Sequence, residues 1–312
     1  MKMKTTFPTD SAELFLTDGG LETTLVFLQG FDLPFFAAFD ILKHEKGYNA
    51  IKDYYRRYLE IAKKYKTNFI LESPTWRANP DWIERIGYFR HQLQELNEKA
   101  VVLLQGLKTE FKNDIETILI SGCIGPRGDG YVPENCMTIE ESENYHAEQI
   151  KVLSQISVDL VSAITMNYVE EVIGIVKAAE TFNLPVVISF TLETDGKLPT
   201  GMSLKEAIET VDKSVNIPPL YYMINCAHPT HFQKELNENE DWVKRIKGLR
   251  ANASCKSHAE LDESTVLDRG VPAELGKEYK NLKGLFPHLN VFGGCCGTDE
   301  EHILEIVGQL KS

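Results

Sequence analysis

The chain has 312 residues, with 33 Lys+Arg against 46 Asp+Glu, a formal net charge of −13 and a pI near 5.2. Its 43% hydrophobic and 25% charged residues are the composition of a well-cored globular protein. The acidic balance argues against nucleic acid or an anionic membrane as partner, because phosphate surfaces select Lys and Arg. No stretch reaches the ~18 uninterrupted apolar residues of a membrane span. The richest, Phe27 to Leu42, is broken by Gln29, Asp32 and Asp40.

In chain order, strands are predicted at Phe15–Asp18, Asn68–Glu72, Thr117–Ser121, Asp159–Ala163, Val186–Phe190, Tyr221–Asn225, Leu249–Ala253 and Asn290–Phe292. Runs such as Val186-Val187-Ile188-Ser189-Phe190 lack polar alternation, the pattern of parallel strands buried on both faces. Helical spacing predicts helices at Tyr48–Lys66, Trp82–Gly106, Ile139–Ile156, Val169–Phe182, Leu204–Lys213 and Glu300–Leu310. Thr138-Ile139-Glu140-Glu141 and Thr298-Asp299-Glu300-Glu301 both read as capping boxes. The stretches around Pro218-Pro219 and Val271-Pro272 are predicted as loops.

Eight strand–helix alternations predict an α/β fold, a (β/α)₈ TIM barrel forming a single domain over 1–312. No Gly-x-Gly-x-x-Gly follows a strand, so an open nucleotide-binding sheet lacks its signature. Met1-Lys2-Met3-Lys4 is followed by Thr, Pro, Asp and Ser where a secretory leader would be apolar. A cytoplasmic location follows as the expectation, with the six cysteines mostly reduced.

On a barrel, chemistry belongs at the C-terminal strand ends. Those ends read Asp18-Gly19-Gly20, Glu72-Ser73, Gly125-Pro126, Thr191, Asn225-Cys226, Asn252 and Gly293-Gly294-Cys295-Cys296-Gly297. Adjacent cysteines on a regular strand face opposite ways, but flanking glycines free the backbone to turn both thiols to one point. Two thiolates make half a tetrahedral zinc shell, and Cys226, ending the sixth strand, is the natural third donor. Three thiolates leave one position of Zn²⁺ open, as in catalytic sites. A free cysteine is also an ordinary small core residue. That alternative suits an isolated thiol better than this cluster. Cys123 and Cys136 read as core or loop thiols, Cys255 as a non-ligand, and His228 and His231 as nearby loop residues that could offer a fourth ligand.

With these motifs the chain resembles the homocysteine S-methyltransferases. The resemblance runs through Leu16-Thr17-Asp18-Gly19-Gly20, Pro74-Thr75-Trp76-Arg77-Ala78-Asn79, Gly125-Pro126-Arg127-Gly128-Asp129, Ser189-Phe190-Thr191 with Gly196-Lys197-Leu198, Asn225-Cys226 and Gly293-Gly294-Cys295-Cys296-Gly297. It implies a zinc-dependent methyltransferase with Cys226, Cys295 and Cys296 as ligands. The methyl group would move from a sulfonium or quaternary ammonium donor to a thiol, homocysteine or an analogue, in methionine biosynthesis. It further implies that the N–H groups of Gly19 and Gly20 cradle the amino acid's carboxylate and that Trp76 stacks on the donor. Asp18, Gly19, Gly20, Glu72, Trp76 and Asn225 are the expected substrate-binding residues.

Two positions depart from the family's pattern. Family members with amino-acid acceptors end the fourth strand with a Glu that binds the substrate's ammonium, where this chain has Ile164. Glu72 and Glu193 are the carboxylates that could compensate. Gly297 stands where many members carry Arg. Ile164 favours one alternative, the same chemistry on a thiol without the amino-acid head group; a zinc barrel without catalysis is a second.

Overall fold

The computed structural model describes residues 5–312, so Met1 to Lys4 lie outside the described residues. Continuous apolar runs become strands: β1 (Phe15–Leu16), β2 (Asn68–Glu72), β3 (Ile118–Ile124), β4 (Leu160–Met166), β5 (Val186–Thr191), β6 (Tyr222–Asn225), β7 (Ile246–Ala251) and β8 (Val291–Gly294). They pair in parallel in sequence order, and β1 closes the barrel by pairing with both β2 and β8. Every strand residue except Lys247 is buried, as a sheet lined outside by helices requires. No helix of the described residues is long and apolar enough to cross a membrane.

The barrel interior is layered. Phe15, Ile70, Leu119, Leu160, Val187, Tyr221, Met223 and Val291 form a separate apolar cluster. Each such side chain contributes about 1.5–3 kcal/mol on burial. Two residues further along the strands the same face becomes polar, with Glu72, Ser121, Ser162, Ser189 and Asn225, all buried. The apolar plug therefore floors a polar chamber at the C-terminal ends.

Three predicted elements differ in detail. The predicted helix Trp82–Gly106 is two helices, Pro80–Ile86 and Leu93–Phe111. Gly87, at φ 102°, ends the first in the left-handed region. Val271-Pro272 opens the helix Pro272–Leu285 rather than a loop, because Pro at the first helical position needs no N–H partner. The capping box at Thr138–Glu141 forms as predicted, but the last helix is capped one residue later, by Asp299 with His302. Thr298 is diverted: its hydroxyl donates to the Cys295 carbonyl at 2.7 Å.

Candidate active site

Cys226 follows the last residue of β6 and sits at φ 52°, a left-handed turn that lifts its side chain off the strand direction. Its N–H donates to the Arg250 carbonyl at 3.2 Å, and the Asn252 amide donates to its carbonyl at 3.0 Å. Cys295 follows β8, and its N–H donates to the Ala251 carbonyl at 2.8 Å. Thus β7 ties the two cysteine turns together, and the Cys226 and Cys295 Cα atoms are 5.5 Å apart. The Sγ atoms of Cys226, Cys295 and Cys296 all lie within 4.8 Å of one another, and the Cys226 and Cys295 sulfurs are in disulfide contact.

This donor set fits a zinc ion. Tetrahedral Zn–S bonds of ~2.3 Å put sulfurs about 3.8 Å apart, inside the observed spread. Burial, with Glu22 nearby, pushes the Cys296 thiol up to about 11, so a cation is what would make this cluster thiolate at neutral pH. Polar groups already address the sulfurs: the Tyr131 hydroxyl donates to Cys226 Sγ at 3.4 Å, and the Asn225 amide to Cys295 Sγ at 3.9 Å.

The sulfurs face a cavity of about 350 Å³ at the barrel mouth. Six acidic side chains line it, Asp18, Glu22, Glu72, Asp129, Asp262 and Asp268, against the two arginines Arg77 and Arg250. The chamber favours positively charged ligands. Burial raises Glu22 to about 7, with Asp18 adding to the effect, and burial also raises Glu72.

The expected substrate-binding residues gather here with roles of their own. Asp18 is committed: Arg250 Nη2 donates to Oδ1 at 2.8 Å and Tyr54 to Oδ2 at 3.1 Å. The Gly20 N–H donates to the Thr298 carbonyl at 3.0 Å. Gly19 and Gly20 are required by the protein's own packing. A Cβ on Gly19 would stand 2.8 Å from the Tyr58 hydroxyl, and one on Gly20 2.6 Å from the Cys295 carbonyl. Trp76 lines the cavity, but the Arg77 guanidinium lies 3.9 Å over its ring and its indole donates to the Ile164 carbonyl at 3.1 Å.

Asn225 does not line the cavity. Its amide oxygen accepts from Thr165 N and Ser189 Oγ while its nitrogen donates to Thr165 Oγ1, holding Thr165 at φ 66° behind the sulfurs. Glu72 and Ile164 both face the cavity, whereas Glu193 is not among its lining residues. Gly297 is at φ 80°, and a Cβ there would meet the Asp268 carbonyl at 2.5 Å, so no Arg fits. His228 and His231 turn to other partners, Thr230 and the Cys255 carbonyl, and Cys255 is exposed and outside the sulfur cluster. Cys136 is exposed, while Cys123 is buried and lines the cavity.

Sequence reasoning passed over Tyr131, Glu22, Arg77, Arg250 and His258. Only Arg250 carries a signal, a charged residue inside the predicted strand Leu249–Ala253. His258 stacks on Tyr131 with ring centroids 4.1 Å apart, and burial lowers it to about 4, so it is neutral at physiological pH.

A (β/α)₈ barrel with three convergent sulfurs at its mouth defines a class, barrels able to hold a metal on cysteine. The homocysteine S-methyltransferase family model matches residues 15–310, and the chain belongs to that family. It is a methyltransferase, and the reading as a barrel without catalysis falls with that membership. The chain is 24% identical to Homocysteine S-methyltransferase 1 of Brassica oleracea var. italica, over 95% of this chain and 93% of that protein, and 24% identical to its Arabidopsis thaliana namesake over the same shares. Its fold is that of the Escherichia coli homocysteine methyltransferase MmuM. The oxidized form aligns with a TM-score of 0.75 at 17% identity, covering 97% of this chain and all of that one. The metallated form aligns with a TM-score of 0.73 at 18% identity, covering 95% and 96%.

Proposed function

We propose that the chain methylates the thiol of homocysteine or a close analogue at a zinc ion held by Cys226, Cys295 and Cys296, giving methionine or the related thioether. The observation that carries this reading is the convergence of three sulfurs, from the ends of β6 and β8, within 4.8 Å at the wall of one cavity. A zinc ion held by these three residues would supply Lewis acidity, under which the acceptor thiol, ordinarily near pKa 8.5, would be thiolate at neutral pH.

The chain's residues do the rest. Three cysteine thiolates around the ion would give the site a net negative charge and so preserve the acceptor sulfur's nucleophilicity. Tyr131 and Asn225 donate towards ligand sulfurs and fix their directions. The acidic lining supports a cationic donor, sulfonium or quaternary ammonium, whose charge disappears as the methyl group leaves. Trp76 offers the donor an aromatic surface beside that lining. A thiolate site requires a reducing compartment, which supports the cytoplasm, and the product would feed methionine supply.

The experiment is a matrix of donors and thiols, read by thioether formation with zinc-loaded protein. Methylation of homocysteine by an onium donor, lost in Cys296→Ser, is expected. Transfer that continues without zinc or in that variant overturns the reading. Ile164 on the cavity wall supports one competing acceptor class, thiols without an amino-acid head group, which the same matrix includes.

A further inference from the structure

The segment that carries Tyr131 is held from outside itself. It runs from residue 125 to 138, between β3 and the helix Ile139–Gln155, with no helix or strand of its own. From Pro126 to Tyr131 its backbone groups bond to side chains instead. The Arg127 N–H donates to Glu171 Oε1 at 2.8 Å. Arg77 Nη1 donates to the Gly128 carbonyl at 3.0 Å, and the Asn167 amide donates to the Asp129 carbonyl at 3.0 Å. The Tyr131 N–H then donates to the Asp129 carboxylate at 2.8 Å, and this turn ends with the Tyr131 hydroxyl 3.4 Å from Cys226 Sγ.

Glu171 lies on the helix Val169–Thr181, after β4, and is 1% exposed, as is Asn167 just before that helix. His146 Nε2, fully buried on the helix Ile139–Gln155, donates to the same Glu171 oxygen at 2.8 Å. The Tyr168 hydroxyl, hydrogen-bonded to Glu171, accepts from the Met137 N–H at 3.1 Å. Glu171 therefore fixes the segment near both ends, directly at Arg127 and through Tyr168 at Met137. Burying a carboxylate is costly unless its oxygens are used, and here they are used to shape the segment that reaches the sulfurs. Neither Glu171 nor Asn167 lines the cavity.

We propose that Glu171 and Asn167 are positioning residues for the sulfur site: by holding the backbone at Arg127 and Asp129 they aim the Tyr131 hydroxyl at Cys226 Sγ. Both act through Tyr131 and touch no ligand. Zinc as the ion on those sulfurs rests on the proposed function; the hydrogen-bond chain from Glu171 to Tyr131 does not. A purely structural Glu171 would only tie two helices together. Ser142 separates the two roles, because its hydroxyl donates to the Glu171 carbonyl at 2.7 Å and joins the same helices without touching the segment.

The test is a double-mutant cycle read by competition of a chelator for zinc on the reduced, zinc-loaded protein, with no turnover needed. Glu171→Gln keeps the side chain's shape and should weaken zinc retention about tenfold, as Tyr131→Phe does, the lower end for groups that orient metal ligands. In the Tyr131→Phe background the same Glu171→Gln change should cost less than about twofold, since the hydroxyl it aims is gone. Asn167→Leu, of similar size, should give the same pattern. Ser142→Ala should stay within about twofold of the unmodified protein.

Effects of Glu171→Gln and Tyr131→Phe that multiply in the double variant overturn the proposal, because Glu171 would then act by another route. So does a Ser142→Ala loss equal to that of Glu171→Gln, which would make the effect one of helix packing. If Glu171→Gln fails to fold, the cycle between Asn167→Leu and Tyr131→Phe decides in the same way. Zinc held equally well by the unmodified protein and by Glu171→Gln removes this proposal and leaves the zinc site standing. An unmodified protein that takes up no zinc removes the site, and the proposal with it.

Discussion

The Tyr131 hydroxyl stands 3.4 Å from the sulfur of Cys226, 95 residues further along the chain. Tyr131 reaches it from the long loop after β3 and is braced by the His258 ring, its centroid 4.1 Å away, from the short helix His258–Asp262 after β7. A phenol proton aimed at a thiolate stabilises its charge and orients the ligand. Tyr131→Phe keeps the stacking and loses only the donor. Such a variant should surrender zinc to a competing chelator about tenfold more readily. Identical competition curves would reduce Tyr131 to a packing residue.

Gly20 separates the requirements of fold and ligand. Its missing Cβ is needed by the Cys295 carbonyl, so Gly20→Ala should destabilise the protein by about 1–3 kcal/mol through strain and weaken zinc binding by displacing the Cys295 turn. Gly106, in the helix Leu93–Phe111, has nothing within 4 Å of where a Cβ would stand, and Gly106→Ala should stabilise by up to about 1 kcal/mol. Denaturant melts of the pair give the comparison. Equal effects at the two positions would contradict the packing account.

His258 makes stability depend on pH. Its folded pKa of about 4 lies below the ordinary 6.5, so between these values the unfolded chain binds more protons. The stabilisation is complete above pH 6.5 and is lost as pH falls through 4, about 3 kcal/mol in all. Glu22 acts oppositely: raised from 4.5 to about 7, it takes up a proton in the folded state, and stability falls as pH rises through that window. Melts of metal-free, reduced protein and His258→Gln should differ by an amount that shrinks steadily from pH 6.5 to 4. A constant difference would show that His258 titrates normally.

The barrel was legible because its strands are short and apolar and its helices amphipathic, a contrast that survives without tertiary information. The sulfur trio was legible for a related reason: Gly-Gly-Cys-Cys-Gly has no ordinary structural use. Boundaries were less so. Thr298 and Asp299 are both competent caps, and only the nearby Cys295 carbonyl, which claims the Thr298 hydroxyl, decides for Asp299. Val271-Pro272 suits a loop in the sequence, yet Pro can equally start a helix, and Leu275, Tyr279 and Leu282 behind it carry the helical spacing. Tyr131 and Glu22 were invisible because their roles come from what the fold brings near them. The commitments of Asp18 and Gly20 are likewise set by Arg250 and Thr298, both more than 200 residues away.

The most direct test of the central claim is X-ray absorption at the zinc edge on reduced, zinc-supplied protein, before and after adding homocysteine. The account predicts one zinc per chain with three sulfur neighbours at ~2.3 Å, and a fourth sulfur once the thiol is added. Protein that takes up no zinc, or zinc whose sulfur count does not rise with the thiol, would contradict it.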